Sequence, residues 1–379
     1  MTVRLAPATP PILMTPGPTR VPERVLRAGA RPMIHHRSPE FSLELGAMLE
    51  LIRPLFGTHA TVLPVHTTGR GAMEAAVANL CSAGDEIVMC CNGRFGTMWA
   101  GFAESYGVVV HRVSTDWSRS VDAAEVDRAL AEHPRVKVVA VSQCDTSTGV
   151  LNDVAAIARV VRARHALLMV DGVSSIGGVP FAFDEWGIDV AVTATQKCLM
   201  SSPGLSFAVL SDRAWRAVPD AKLPRNYWDF ASIRASVTKV KPEPPGTAPV
   251  HLVFQVVEAL RMIHEEGLDR VHARHAQMAE RTRQGVAALG LTMQAPLLEQ
   301  YSPTVTAIAL PAGVAPKPLR DAIKARGILT AAGMGPYEAT AFRIGHMGDI
   351  RMDDVEQTLA ALAEALAIVR PIEPVGVRA

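Results

Sequence analysis

Short apolar runs alternate along the first two thirds of the chain with amphipathic stretches of helical length. Apolar runs bounded by turn residues indicate buried strands, and apolar positions repeating every three or four residues indicate helices. The predicted strands are residues 61–65, 86–90, 108–113, 136–142, 167–171, 190–194 and 207–211. The predicted helices between them are residues 71–80, 95–106, 122–132 and 153–164. This alternation is typical of an α/β domain with a mostly parallel sheet, in which ligands bind where the strands end.

The pattern changes between residues 219 and 249, which are rich in proline, lysine and aromatic residues. This segment is too long for an ordinary connection inside a compact domain, so it is a linker or a functional loop. Beyond it we predict helices over 250–265, 269–289, 316–326 and 352–369, and strands over 304–310, 328–331 and 341–345. The chain is therefore divided into an N-terminal arm over 1–24, a large domain over 25–249 and a smaller C-terminal α/β domain over 250–379.

Composition narrows the class of protein. The 379 residues are 49% hydrophobic, and 38 basic residues balance 37 acidic ones, so no strong field would attract nucleic acid or an anionic membrane. No apolar run approaches the ~18 residues of a membrane span, and early prolines interrupt any signal peptide. The five cysteines form no CxxC pair and no metal-ligand spacing. We expect a cytoplasmic enzyme or binding module for small molecules.

Three charged residues stand alone in apolar segments. Lys197 follows a predicted strand, where desolvation would lower its pKa toward the nucleophilic amine of Schiff-base chemistry, although a lysine that reaches the surface gives the same pattern. Asp171 ends another apolar strand, as an active-site carboxylate or as a turn cap. Arg343 lies on a short apolar strand, where it suits bidentate binding of a carboxylate or a structural ion pair.

A fourth feature is the segment of residues 67–71, Thr-Thr-Gly-Arg-Gly, between a predicted strand and a predicted helix. Glycines allow a ligand to approach the backbone, and the N–H groups of a first helical turn bind phosphate. The segment is neither GxGxxG nor the GxxxxGK[ST] motif, so alone it is a weak signal. Together with Asp171 and Lys197 it supplies what pyridoxal phosphate requires: an anion site, a carboxylate for the ring nitrogen and an amine for the aldehyde.

Several motifs follow in order: TPGPT at 15–19, HRSPEF at 36–41, TGR at 68–70 with EAA at 74–76, NGRF at 92–95, DTSTG at 145–149, DGVSS at 171–175, QK at 196–197 and FRIGH at 342–346. They resemble the class V aminotransferases of fold type I, above all the alanine–, serine– and ureidoglycine–glyoxylate aminotransferases. The resemblance covers almost the whole chain. It implies a large domain with a mostly parallel seven-stranded sheet, a smaller C-terminal domain and a homodimer with the active site at the subunit interface.

The resemblance also implies roles for individual residues. Lys197 would hold pyridoxal 5′-phosphate covalently and act as general acid and base, Asp171 would pair with its ring nitrogen, and Arg343 and Ser147 would bind the substrate. The other residues implied around the cofactor are Thr68, Gly69, Arg70, Phe95, Val173 and Gln196, with Ser147 beside the ring and Thr247 from the neighbouring subunit. The segment 219–249 would then be an interface loop. Pro244 stands where relatives commonly have a tyrosine.

The expected reaction is a ping-pong transfer of the amino group from a small amino acid, such as alanine or serine, to glyoxylate or pyruvate. A class V lyase acting on a small amino acid is the alternative. A desulfurase would need a mobile cysteine near the C-terminus, but no cysteine lies beyond Cys198, and an oxidoreductase would need a GxGxxG turn, which does not occur. The histidines near the motifs, His35, His36, His66 and His346, have no metal-ligand spacing.

Overall fold

The computed structural model describes residues 11–369. The expectations for the first ten residues of the arm and for residues 370–379 lie outside this range. Within it, no helix is long and apolar enough to cross a membrane.

Short strands and longer helices alternate, as the hydrophobic pattern predicts. The strands are β1 (Ile12–Leu13), β2 (Val62–Val65), β3 (Glu86–Cys91), β4 (Val109–Ser114), β5 (Val136–Ser142), β6 (Cys144–Asp145), β7 (Val150–Leu151), β8 (Leu167–Asp171), β9 (Val190–Ala194), β10 (Ser206–Leu210), β11 (Thr292–Met293), β12 (Val305–Ala309), β13 (Ile328–Leu329), β14 (Ala331–Ala332) and β15 (Ala341–Gly345). The α-helices are α1 (Glu23–Gly29), α2 (Pro39–Phe56), α3 (Gly69–Leu80), α4 (Arg94–Ser105), α5 (Ala123–Glu132), α6 (Val154–Ala163), α7 (Phe183–Trp186), α8 (Asp212–Ala217), α9 (Phe230–Val237), α10 (Val250–Glu266), α11 (Leu268–Ala288), α12 (Pro316–Lys324) and α13 (Met352–Val369).

The main sheet has seven strands in the order β2-β10-β9-β8-β5-β3-β4. Strand β10 runs antiparallel to both of its neighbours, and the other adjacent pairs are parallel. Its strands are those predicted from the apolar runs, with ends that differ by at most one residue. Helices cover both faces of such a sheet, which is why the central strands are apolar throughout rather than alternating. The predicted fold class is confirmed.

The carboxyl ends of β2, β3, β5, β8 and β9 point to the same edge of this sheet. The segments that follow these strands carry Thr68, Phe95, Asp145 and Lys197, and β8 itself ends at Asp171. Residues from five separate segments therefore converge at one edge, although nearly 130 positions separate the first from the last in the chain.

The C-terminal part has a smaller sheet in the order β11-β12-β15-β14, with all adjacent pairs antiparallel. Its core packs the apolar sides of α11, α12 and α13, and it includes Met14 from the predicted arm. Strand β1 of that arm pairs in parallel with β13, so this stretch belongs to the C-terminal part by contact. The arm also contains the start of α1, at Glu23.

The hydrophobic pattern does not predict α1, α2, α7, α8 or α9, and the expected boundary after residue 249 also differs from the packing. Residues 230–237 of the segment expected to be a loop form the helix α9, whose start is capped by the Asp229 carboxylate accepting from Ser232 N at 3.1 Å. Eight residues between prolines and glycines are too few to produce a clear periodicity. The buried face of α10 packs into the larger core with α1 and α2, although the expected boundary precedes it. The division after residue 249 stays a prediction.

Candidate active site

A cavity of about 290 Å³ lies where these strands end. Eight of the residues expected around the cofactor line it: Thr68, Gly69, Arg70, Phe95, Asp171, Val173, Gln196 and Lys197. Six further residues, not assigned to the site beforehand, also line it: Gly17, Pro18, Met73, Thr146, Ser174 and Pro203. Gly17 and Pro18 belong to the TPGPT motif, which was a signal for their presence.

Lys197 follows β9 and its side chain is buried against the N-terminal segment. Its Nζ donates a hydrogen bond to the carbonyl oxygen of Pro16. A Cβ at Gly17 would lie 2.5–2.7 Å from the Cδ, Cε and Nζ atoms of Lys197, so only glycine leaves room for this side chain. Burial, with a further contribution from the positive charge of Arg343, lowers the pKa of Lys197 to about 8. A substantial fraction of the amine is therefore neutral and nucleophilic near physiological pH.

Asp171 is the last residue of β8 and is only 4% exposed. Its Oδ2 accepts from Ser142 Oγ at 2.8 Å, and its Oδ1 accepts from Val173 N at 2.9 Å. Burial raises the pKa of the carboxyl to about 6, against the opposing effects of these two bonds and of Lys197. The carboxylate is thus held in one orientation and is ionised at neutral pH, ready to pair with a cationic group.

The start of α3 forms one wall of the cavity. Thr68 is the N-cap but makes no side-chain hydrogen bond to the first turn, and the wall consists of Thr68, Gly69 and Arg70. The first N–H groups of a helix have no partner within the helix, and together with the dipole they favour an anion. Gly69 packs so closely on Val173 that a Cβ would lie 2.7 Å from Cγ2. Gln196 Oε1, also on the cavity wall, is buried and has no hydrogen-bond partner among the described residues.

Asp145 organises the wall that carries Phe95. Its buried carboxylate accepts from Phe95 N at 2.9 Å and from Ser147 N at 2.9 Å, and Gly93 has no Cβ where one would collide with it. These bonds fix the first turn of α4 and thereby the Phe95 ring beside the cavity. The function of Asp145 was not foreseen from the sequence, although its position in the polar DTSTG turn was a signal.

Ser147 does not line the cavity. Its buried hydroxyl donates to Asp145 at 2.5 Å and accepts from Arg94 N at 2.9 Å. The preceding residue, Thr146, lines the cavity instead, and its hydroxyl is hydrogen-bonded to that of Ser174. Thr146 and Ser147 are adjacent but face opposite sides of the turn. The Ser147 hydroxyl therefore holds the wall together, whereas Thr146 lines the cavity.

Arg343 lies in β15 with a buried guanidinium. Its NH1 donates to the Thr146 carbonyl and its Nε to the Ala332 carbonyl, both at 2.8 Å. Within residues 11–369 no carboxylate forms a salt bridge with it, and burial lowers its pKa to about 10. The charge is compensated by backbone oxygens and by the nearby charge of Asp145. Arg343 itself does not line the cavity; it lies behind Thr146, which does. Such a buried cation suits a substrate carboxylate.

Thr247 lies elsewhere in the chain. It is exposed and borders a second depression of about 310 Å³ with His66, Tyr227 and Gly246. Thr247 is expected to act at the site of a neighbouring subunit, and its absence from the lining of its own chain's cavity is compatible with that expectation. Pro244, three residues earlier, is buried.

Comparisons with known proteins give one family. Residues 13–363 match the family described as Aminotransferase class-V. The chain is 39% identical to "Soluble hydrogenase, small subunit" of a Synechococcus species over 94% of this chain and 93% of that protein. It is 37% identical to L-aspartate–glyoxylate aminotransferase of Paracoccus denitrificans over 89% of this chain and 86% of that protein. The crystal structure of ureidoglycine–glyoxylate aminotransferase from Bacillus subtilis superposes with a TM-score of 0.92 at 30% identity, over 98% and 97% of the two chains.

Proposed function

Because the chain belongs to the class V aminotransferases, we propose that it transfers the amino group of a small amino acid, such as alanine or serine, to glyoxylate or pyruvate. Its cofactor is pyridoxal 5′-phosphate. One observation carries the proposal: Lys197 and Asp171 line the same cavity, and the N-terminus of α3, which has no side-chain cap, forms another of its walls. Glyoxylate is named as a substrate of relatives that are 30–37% identical to this chain.

The described residues fit this cofactor. The start of α3 would bind the phosphate, and the amide of Gln196, whose oxygen has no partner, would complete that site. Asp171 would face the ring nitrogen, Phe95 and Val173 would pack against the ring, and Lys197 would hold the aldehyde carbon covalently. When bound, the cofactor supplies an electron sink for the charge that develops at the substrate Cα.

The protein's own groups then orient the substrate and move a proton. Lys197, with a pKa of about 8, can take a proton from the substrate Cα and deliver it to the cofactor carbon C4′. Asp171 provides the negative charge that keeps the ring nitrogen protonated, and Ser142 and the Val173 N–H hold its carboxylate in place. Arg343 would bind the α-carboxylate and so set the direction of the Cα–H bond.

The walls of the cavity support a small and uncharged donor side chain. Among the described residues, the cations that line the cavity are Lys197 and Arg70, and the latter belongs to the phosphate wall. The remaining space is bounded by apolar groups such as Met73, Pro18 and Pro203. A second carboxylate on the substrate would find no dedicated partner there, and burying an unpaired charge is unfavourable.

We also propose that the protein is a homodimer in which Thr247 reaches the cofactor phosphate of the partner. The exposure of Thr247 and of Tyr227 beside it, in a segment that packs only partly on its own chain, supports this arrangement. A cytoplasmic location remains part of the proposal, supported by five cysteines that are all free thiols.

The activity in the name of the Synechococcus relative is not favoured by these residues. Clusters of iron and sulfur are held by cysteine thiolates. Among the described residues, no cysteine belongs to a group of three or more side chains that could hold a metal ion.

The test is a scan of amino donors against glyoxylate and pyruvate with the cofactor-loaded protein, following the cofactor's absorbance. We expect small donors to convert the aldehyde form to the amine form, and either 2-oxo acid to restore it. Borohydride reduction should add the cofactor's mass to the peptide containing Lys197, and Lys197→Ala should lose both signals. Release of an oxo acid and ammonia without any recovery by 2-oxo acids would replace the proposal with the lyase alternative.

A further inference from the structure

A second group of polar side chains gathers at the opposite edge of the main sheet, where β3 begins. Glu86 is the first residue of β3, His111 lies in the neighbouring strand β4, and His133 is the C-cap of α5. The parallel register aligns Glu86 with Val109 and Val88 with His111, so Glu86 and His111 project from the same face. Helix α5 packs against both strands and brings His133 to that face.

The geometry of these three side chains is close. Nε2 of His111 lies 2.9 Å from Oε2 of Glu86, and the rings of His111 and His133 stack with centroids 3.5 Å apart and an interplanar angle of 11°. One nitrogen or oxygen from each of the three residues lies within 4.8 Å of the others. Glu86 is only 8% exposed, whereas both histidines are partly exposed, so solvent reaches the imidazoles but hardly the carboxylate.

We propose that Glu86, His111 and His133 bind a divalent transition-metal ion, specifically Zn²⁺, at a site separate from the active site. Two imidazole nitrogens and one carboxylate oxygen form a recurrent ligand set for zinc, with water as the fourth ligand. Tetrahedral bonds of about 2.1 Å place ligand atoms about 3.4 Å apart, so the ligand atoms need to approach by little more than 1 Å. At least one imidazole must also rotate out of the stack, because the in-plane lone pairs of two parallel rings cannot point at the same ion. Imidazole ligands favour zinc over Mg²⁺ or Ca²⁺.

Two features of the surroundings bear on this site. The carbonyl end of α5 carries the negative pole of the helix dipole, which attracts a cation next to His133. Arg135 opposes binding, because its guanidinium forms an ion pair with Oε1 of Glu86 and thereby competes for the carboxylate. The Arg135 side chain is 86% exposed, so it can turn into solvent when the metal ion takes its place. The bound ion would join α5 to the edge of the sheet.

The proposal is tested on the cofactor-loaded protein after treatment with a chelator, by titration with Zn²⁺ in competition with a chromophoric chelator. We expect one ion per chain, and an affinity that falls by roughly tenfold or more in His111→Gln and in His133→Gln. Arg135→Gln should bind more tightly than the wild type, since the competing cation is gone. His59→Gln removes an exposed histidine elsewhere and should leave the affinity unchanged.

Each variant is first shown to be folded by its transamination activity, which this site does not supply. X-ray absorption at the zinc edge should show only nitrogen and oxygen ligands. The proposal is overturned if the two histidine variants bind zinc as tightly as the wild type, if Arg135→Gln binds more weakly, or if a sulfur ligand appears in the spectrum.

Discussion

Replacing Asp171 with asparagine removes one buried negative charge from the candidate active site while leaving its shape nearly unchanged. The asparagine oxygen can accept the Val173 N–H bond, and the Ser142 hydroxyl can rotate to accept from the new amide group. In the native protein, burial raises the pKa of the Asp171 carboxyl from 3.8 to about 6. The substitution therefore separates what this charge contributes to folding from what it contributes to catalysis.

The raised pKa means that ionised Asp171 destabilises the cofactor-free protein. The native state holds this proton more tightly than the unfolded chain does, so stability falls as the pH rises from about 4 through about 6. At about 1.36 kcal/mol for each pKa unit, the rise of about two units corresponds to about 3 kcal/mol at pH 7 and above. The same linkage relation gives about half of this penalty at pH 5.

Asp171→Asn is therefore expected to raise the free energy of unfolding of the cofactor-free protein by about 3 kcal/mol at pH 8 and by about half as much at pH 5, measured by urea unfolding. Packing changes contribute equally at the two pH values and cancel in the comparison. Transamination should fall by about 100-fold or more, since the partner of the ring nitrogen loses its charge. The exposed Asp353→Asn should leave transamination unchanged and alter the free energy of unfolding by no more than about 1 kcal/mol, since it removes only a charge at the start of α13. A stability difference independent of pH, or a loss of stability at pH 8 alone, would refute the reasoning.

Three further substitutions test neighbouring contacts. Gly17→Ala places a Cβ 2.5–2.7 Å from the Lys197 side chain, at a residue whose φ is +106°. Cofactor incorporation, followed by absorbance, should therefore fall by roughly tenfold or more. The control Gly101→Ala meets no atom within 4 Å and should behave like the wild type. Arg343→Gln should lower kcat/KM for amino donors by roughly 100-fold with cofactor affinity unchanged, and a loss of cofactor instead would contradict a carboxylate-binding role. Thr247→Ala should weaken cofactor affinity by roughly tenfold. If Thr247 acts across the interface, mixing this variant with inactive Lys197→Ala subunits should restore a tight site, because the Thr247→Ala subunit keeps Lys197 and receives Thr247 from its partner. Unchanged affinity in the mixture would contradict that placement.

The larger sheet was accessible from the sequence because its central strands are buried on both faces. Each of them had to be a continuous apolar run, and a residue such as Lys197 or Asp171 at its end stood out for that reason. Once parallel strands are assumed, their ends meet at one edge, so the convergence of Thr68, Asp171 and Lys197 followed from topology. Some of the segments left unassigned have short signals, such as α9 and the two-residue strand β1. The eighteen-residue helix α2 was also missed, although its length gives it a full helical pattern.

Other features depend on contacts between segments that no local pattern connects. Asp145 accepts hydrogen bonds from both Phe95 and Ser147 because the start of α4 packs against the turn after β5. The conformation of the same turn directs Thr146, not Ser147, toward the cavity. His111 and His133 lie 22 positions apart and meet Glu86 through the pairing of β3 with β4 and the docking of α5.

Periodicity along a chain therefore specified which residues are buried and where strands and helices run, since burial on a given face repeats with the backbone's own geometry. The direction of a side chain in a turn, and the burial that lowers the pKa of Lys197 and raises that of Asp171, arise from neighbours distant in the chain. Those interactions exist only after the elements have packed together, because desolvation and hydrogen bonding depend on distances in space and not on positions in sequence.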